Sequence, residues 1–247
     1  MDNILEIKDL VVRYETEDGI VRAVNSVNLA LERGAAVGLV GETGAGKTTM
    51  VKLLMRFYDV NSGSIKIDGH DIREFNRSEL REMFGMVLQE SFLAGETVAW
   101  NIAYGKENAT REQIEAAAKA AYCDFFIRNM PEGYDTVLSS NINVSQGERQ
   151  LLCIARVMLA DSPMLILDEA TSNIDTMTEL RIQKAFRKIM QGRTSFIVAH
   201  RLSTILDADV ILVMNHGSVI EQGTHSELME KKGFYYNLYN SQFAKSE

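Results

Sequence analysis

The chain opens on alternating apolar and polar positions. ILEIKDLVVRY (residues 4–14), VRAVNSVNLAL (21–31) and SGSIKIDG (62–69) follow the period of two that sets one face of a strand on a core and the other in water, with turn residues between them. They predict a small antiparallel β layer. A second kind of run is apolar without alternation: AAVGLV (35–40), FGMVL (84–88), PMLIL (163–167), TSFIVA (194–199) and ADVILVM (208–214). Such runs suit strands covered on both faces, and here they alternate with helical patterns, which predicts a mostly parallel α/β sheet. Helical spacing dominates between Thr97 and Ala160. Thr110 to Ala121 is rich in Ala, Glu and Lys, and Gln146 to Leu159 carries apolar residues at 151, 152, 155, 158 and 159. A further helix starts at Asp175, with Ile182, Ala185, Phe186 and Ile189 on one face. The expected organisation is one domain over 1–247, an antiparallel β layer and α/β core at about 1–90 and 161–247 interrupted by a helical subdomain at about 91–160.

Composition narrows the function classes. With 247 residues, 46% hydrophobic and 24% charged, the chain can bury a full core. A net charge of -8 and a pI near 5.2 argue against a nucleic-acid partner, whose phosphates call for a basic surface. Cys123 and Cys153 stand 30 residues apart with no Cys or His at ligand spacing, so two reduced, packed thiols are expected rather than a zinc site or a disulfide. No apolar run approaches the roughly 20 residues that span a bilayer, and Met1 leads at once into a strand pattern rather than a signal peptide. A soluble cytoplasmic chain without direct membrane insertion is the expectation.

The chemistry concentrates at strand ends. Gly41, Glu42, Thr43, Gly44, Ala45, Gly46, Lys47 and Thr48 form GETGAGKT, after a buried strand and before the helical TTMVKLLMRF that begins with Thr48 and Thr49. In a loop of this pattern backbone N–H groups cradle phosphates, the lysine reaches the β and γ phosphates and the Thr48 hydroxyl binds Mg2+. LILDE (165–169) places Asp168 for magnesium coordination and Glu169 to orient or deprotonate water. Gln89 and His200 also follow apolar strands, and in open α/β sheets ligands bind at the carboxyl ends of strands. Together these residues describe a nucleotide site. NVSQGERQ (143–150) has two compatible readings, a capping box of Ser145 with Glu148 and an anion site at a helix start.

With these motifs in order the chain resembles the nucleotide-binding domain of ATP-binding cassette (ABC) transporters. The resemblance covers nearly the whole chain and implies a P-loop NTPase (RecA-like) core, binding of ATP with Mg2+, and hydrolysis. It implies that Tyr14 stacks on adenine, Glu169 is the general base, His200 bridges γ-phosphate and water, and Gln89 is a magnesium and water ligand. It further implies a head-to-tail dimer with a second copy or a paralogous ATPase domain, in which Ser145, Gln146 and Gly147 serve the partner's ATP and the loop of Asp175 crosses the interface. A transmembrane domain is the implied second partner, absent from or excised from this chain. A nucleotide-gated clamp on nucleic acid and an ATP-binding scaffold with negligible turnover are the competing readings.

From about residue 50 the wording is similar to exporters, whereas ETEDGIVRAVNSVNLALERG and GLVGETGAGKTT resemble the ATPase subunits of peptide importers, so a chimera joined near the phosphate loop is an expectation to test. Within the signature, Val144 and Glu148 replace the usual leucine and glutamine. An asymmetric pair with one weakened site is one explanation of that departure; recombination or drift is another.

Overall fold

The computed structural model describes residues 3–16, 19–88, 92–138, 144–168, 174–199 and 201–243. The chain runs through β1 (Asn3–Thr16), β2 (Gly19–Glu32), β3 (Ala36–Val40), α1 (Lys47–Leu54), β4 (Ser62–Ile67), β5 (His70–Asp71) and α2 (Arg77–Glu82). β6 (Phe84–Val87), α3 (Val98–Ala103), α4 (Arg111–Ala120), α5 (Asp124–Arg128), α6 (Gln146–Ala160), β7 (Met164–Asp168) and α7 (Thr176–Met190) follow. Then come β8 (Thr194–Val198), β9 (Val210–Asn215), β10 (Ser218–Gly223), α8 (His225–Lys231) and α9 (Phe234–Phe243). These elements fall into two units, Met1–Phe84 with Gly192–Glu247, and Gly85–Gln191.

The first unit holds the expected antiparallel layer, in the order β2-β1-β4-β5. Its inward positions Leu5, Ile7, Leu10, Val24, Leu29, Leu31, Ile65 and Ile67 are buried, as the period-two pattern requires. The pairing slips on both sides of Asp9, whose φ of 45° marks a bulge. Asn28 holds that bulge, accepting from the Asp9 N–H at 2.9 Å and donating to its carboxylate at 3.2 Å. In the second sheet of this unit β3 pairs in parallel with both β8 and β9, and β10 adds antiparallel to β9. β8 is buried throughout and β3 almost so, which is why their sequences show no alternation.

In the second unit β6 and β7 lie side by side, and α6 packs against α3, α4 and α7. The polar tie is Asn101. Buried on α3, its amide accepts from the Ala94 N–H at 2.9 Å and donates to the carbonyls of Ala94, Glu96 and Thr97, folding the segment before the helix back onto it. Arg156 of α6 then donates to the Asn101 carbonyl at 2.8 Å and the Phe92 carbonyl at 3.3 Å. α4 begins with a capping box, Thr110 with Gln113, and α7 is capped by Asp175. Both cysteines are buried thiols with no disulfide between them, and burial raises the Cys123 thiol pKa beyond any physiological range. Among the described residues no helix is long and apolar enough to cross a membrane.

Candidate functional site

The phosphate loop sits where β3 hands over to α1. Gly41 has φ 151°, and a Cβ there would run into the Met214 carbonyl of β9. Gly46, with φ 104°, is the N-cap of α1, and a Cβ there would lie 2.5 Å from the Ala23 carbonyl of β2. Both positions demand glycine on two grounds, conformation and space. Gly46 has no side chain to cap α1 with, and the loop leads directly into the start of that helix, the kind of terminus that binds anions. Neighbouring strands pin the loop. Gly217 donates to the Ala45 carbonyl at 3.0 Å and accepts from the Asn25 N–H at 2.8 Å, so β2, the loop and the β9–β10 turn form one backbone-bonded block. Lys47 is buried, its ammonium donating to the Gly41 carbonyl and, at 3.1 Å, to that of Glu42.

The loop forms one wall of a cleft of about 790 Å³, large enough for a nucleotide. Residues 40–49 supply this wall; Ile20 to Ala23 of β2, Val198 at the end of β8, Ala199, Leu202, His216 and Leu238 supply the rest. Ile20 and Val21 are 65% and 51% exposed, an apolar ledge open to a ligand. Tyr14 is not among the lining residues. Its ring meets Tyr58 edge-on at 6.0 Å between centroids, but it pairs directly with Val21 in the β1–β2 register and so shares the strand face of Val21.

In the second unit Asp168 ends β7, half-buried at the carboxyl end of an otherwise buried strand. Ser145 caps α6. Its hydroxyl accepts from the Glu148 N–H at 3.3 Å, while the Glu148 carboxylate accepts from the Ser145 N–H at 2.9 Å and from the Ser145 hydroxyl at 2.8 Å. The carboxylate is therefore turned back onto the cap, and the one hydroxyl proton of Ser145 is already given to it. Gln146 is exposed at the first helical position, and Gly147 is buried where a Cβ would meet the Thr178 methyl of α7. That glycine lets two helix starts approach. Val144 is buried and its carbonyl accepts from Arg149 at 3.0 Å, so the shorter apolar residue still fills its place. Asp175 accepts from the Thr178 N–H at 3.0 Å, and hydrogen bonds from Thr178, side chain and backbone, hold its carboxyl below the usual range. Gln89, Glu169 and His200 lie outside the described residues.

Sequence patterns passed over the cleft's far wall. Val21 to Ala23 were legible as the start of a strand, which the structure extends back through Ile20, but they carry no motif. His216 and Gly217, with φ 44° and 78°, are the two central residues of a hairpin turn closed by the Asn215–Ser218 pair. The signal was there, since two-residue loops of this kind favour Gly after a residue that tolerates positive φ. Leu238 on α9 had no sequence signal of its own.

A family model described as ABC transporter matches residues 24–172, more than half of the chain. An uncharacterised ABC transporter ATP-binding protein of Bacillus subtilis is 49% identical over 98% of the chain and 40% of its own length. An ATP-dependent lipid A-core flippase of Syntrophus aciditrophicus is 44% identical over 98% and 40%, and a fatty acid ABC transporter ATP-binding/permease protein of Mycobacterium bovis 52% over 87% and 34%. The solved structure of a bacterial Atm1-family ABC exporter with ATP bound matches with a TM-score of 0.88 and 39% identity, over 96% of this chain and 41% of that one. The chain thus spans 34–40% of the length of these curated relatives. Single relatives align through 98% of it, the first strands included, so the expected junction with a peptide-importer segment is not supported. With a phosphate loop between β3 and α1 and a family model matching from β2 past β7, the chain belongs to the ABC transporter family, and its relatives are of exporter type.

Proposed function

We propose that this chain binds ATP with Mg2+ and hydrolyses it to ADP and phosphate as the motor domain of an exporter-type transporter. The observation that carries the reading is the loop Gly41–Gly46, shaped by two obligatory glycines and leading into the start of α1 at the wall of a nucleotide-sized cleft. In this reading Thr43 to Thr49 cradle the phosphates, and Lys47 turns from the Gly41 and Glu42 carbonyls to the β and γ phosphates. Tyr14 stacks on the adenine beside Val21. The chemistry of the expected ligands suits magnesium, since the Thr48 hydroxyl and the Asp168 carboxylate are hard oxygens. Bound there, Mg2+ would neutralise charge developing on the phosphates. Glu169 takes the proton of the attacking water, with Gln89 and His200 orienting water and γ-phosphate.

The ATP site is completed by a partner in this reading. Ser145, Gln146 and Gly147 of one subunit face the γ-phosphate on the other's loop, and Asp175 lies at the crossing, because a phosphate group needs donors on every side. The partner is a second copy or a paralogous ATPase domain, and the dimer drives a transmembrane domain from the cytoplasmic face of the membrane. Phosphate release by the wild type, Lys47→Ala and Glu169→Gln tests this. Loss of ATP binding in the first variant and of turnover with retained binding in the second are expected; equal rates in all three would sink the assignment.

A further inference from the structure

We propose that the C-terminal helix α9 belongs to the nucleotide site, with Leu238 as a nucleotide-contact residue and the α8–α9 anchor as the device that positions it. Leu238 lines the same cleft as the phosphate loop, some 190 residues further along the chain. Its orientation is fixed by its neighbours. On a helix, residues i, i+3 and i+4 share a face, so Tyr235, Leu238 and Tyr239 form one stripe. Tyr235 is fully buried, its hydroxyl 2.9 Å from His225 Nδ1 of α8, and burial raises its pKa to about 12, so it stays a neutral phenol. Tyr239 packs its ring against both His225 and Tyr235.

The start of the helix is tied as firmly. Glu221 of β10 accepts from the Phe234 N–H at 2.7 Å and the Tyr235 N–H at 2.9 Å, satisfying two orphan donors of α9 and placing a negative charge at its positive end. Gly233 stands directly over that carboxylate, where a Cβ would collide with it. Thus β10, α8 and α9 form one block, and β10 runs from the turn whose Gly217 holds the phosphate loop at Ala45. Leu238 is a fixed apolar wall rather than a side chain of a trailing terminus. A nucleotide in the cleft covers it, and α9 is held more firmly in return, since binding and docking are reciprocal.

This inference rests on the proposed ATP site, and the test separates the two. Mg-ATP is titrated calorimetrically into the full chain as wild type, Leu238→Ala and Leu238→Met. Truncation should weaken binding by roughly three- to tenfold through lost apolar contact, whereas methionine, which keeps the volume, should stay within about twofold. Amide exchange of the wild type supplies a measurement that needs no variant: saturating Mg-ATP should slow residues 236–240 more than the α2 amides 79–82, whose helix neither lines the cleft nor belongs to this block. Unchanged affinity of Leu238→Ala, or equal slowing of α2 and α9, would overturn the inference while leaving the ATP site standing. Failure of the wild type to bind Mg-ATP would overturn both.

Discussion

Replacing Glu148 by glutamine should weaken the free chain slightly and strengthen its ATP-bound dimer. The two effects have opposite signs for reasons visible at the α6 cap. In the free chain the Glu148 carboxylate accepts two bonds from Ser145 and lies in the positive end of the helix field. Glutamine can fill the same position of a capping box, but without the charge it forgoes ~0.3–1 kcal/mol of dipole attraction. For a chain of this size that lowers Tm by about 1–4 °C.

In the dimer the balance reverses. A phosphate oxygen accepting from Ser145 Oγ would sit roughly 3 Å from it. The carboxylate oxygen lies 2.8 Å from the same atom on its own side, so two negative charges would stand about 5–6 Å apart. At an effective dielectric constant of roughly 20–80, each such pair costs ~0.7–3 kcal/mol, about three- to 150-fold in affinity at each site. The Ser145 proton must also be withdrawn from Glu148 before it can serve a phosphate. Sedimentation velocity of Glu169→Gln and of Glu169→Gln with Glu148→Gln, at matched Mg-ATP, reads the effect as dimer fraction. A Glu148→Ala arm separates charge from the new amide, since it frees the hydroxyl without adding a donor. No gain in dimer with either substitution would show that Ser145 does not face a partner's phosphate, and a loss would show that the carboxylate itself is used there.

Other substitutions probe the same loops. Gly46→Ala should abolish Mg-ATP binding in calorimetry, because a Cβ at φ 104° strains the backbone by about 1–3 kcal/mol and presses on the Ala23 carbonyl; Gly44→Ala, equally strained at φ 84° but with open space around it, should weaken binding less. Gly147→Ala should cost about 1–3 kcal/mol in urea unfolding by driving a methyl into Thr178, and Thr178→Ser, which removes the methyl it meets, should restore most of it. Asp175 has its carboxyl pKa lowered in the folded state by bonds from Thr178, so its contribution is present above the unfolded value of about 3.9 and is lost as pH falls through the folded value. Thermal melts of wild type and Asp175→Asn should therefore differ in favour of the wild type near neutrality and converge in acid.

What was legible in the sequence follows from how much of each element's stability is local. β3, β7 and β8 are buried on almost every residue, so their apolar runs could mean little else, and α4, α6 and α7 announce themselves by caps at Thr110, Ser145 and Asp175. β10 escaped notice because its burial is partial along its length, and α9 because its aromatic stripe is held by Glu221 and His225, residues that only the fold brings near. The candidate site divides in the same way. The phosphate loop was legible because its glycines answer backbone demands that no other residue meets. The facing wall was not, since β2, His216 and Leu238 contribute surface rather than a motif.

The signature lies between these cases, and there the geometry decides what the pattern left open. A capping box and an anion site draw on the same helix start, so the motif alone is satisfied by either use. In the proposed dimer the carboxylate at 148 would make the two uses compete: every bond it accepts from Ser145 stabilises α6 in the free chain and would withhold a donor from a partner's nucleotide. A glutamine there would keep the helix start and offer the hydroxyl outward. In the proposed dimer this chain would keep its own phosphate loop complete while offering a weaker surface in return. Mixing the chain with a copy carrying Glu148→Gln, each with Glu169→Gln, should favour dimers in the order variant pair, mixed pair, wild-type pair, and the reverse order would refute the competition.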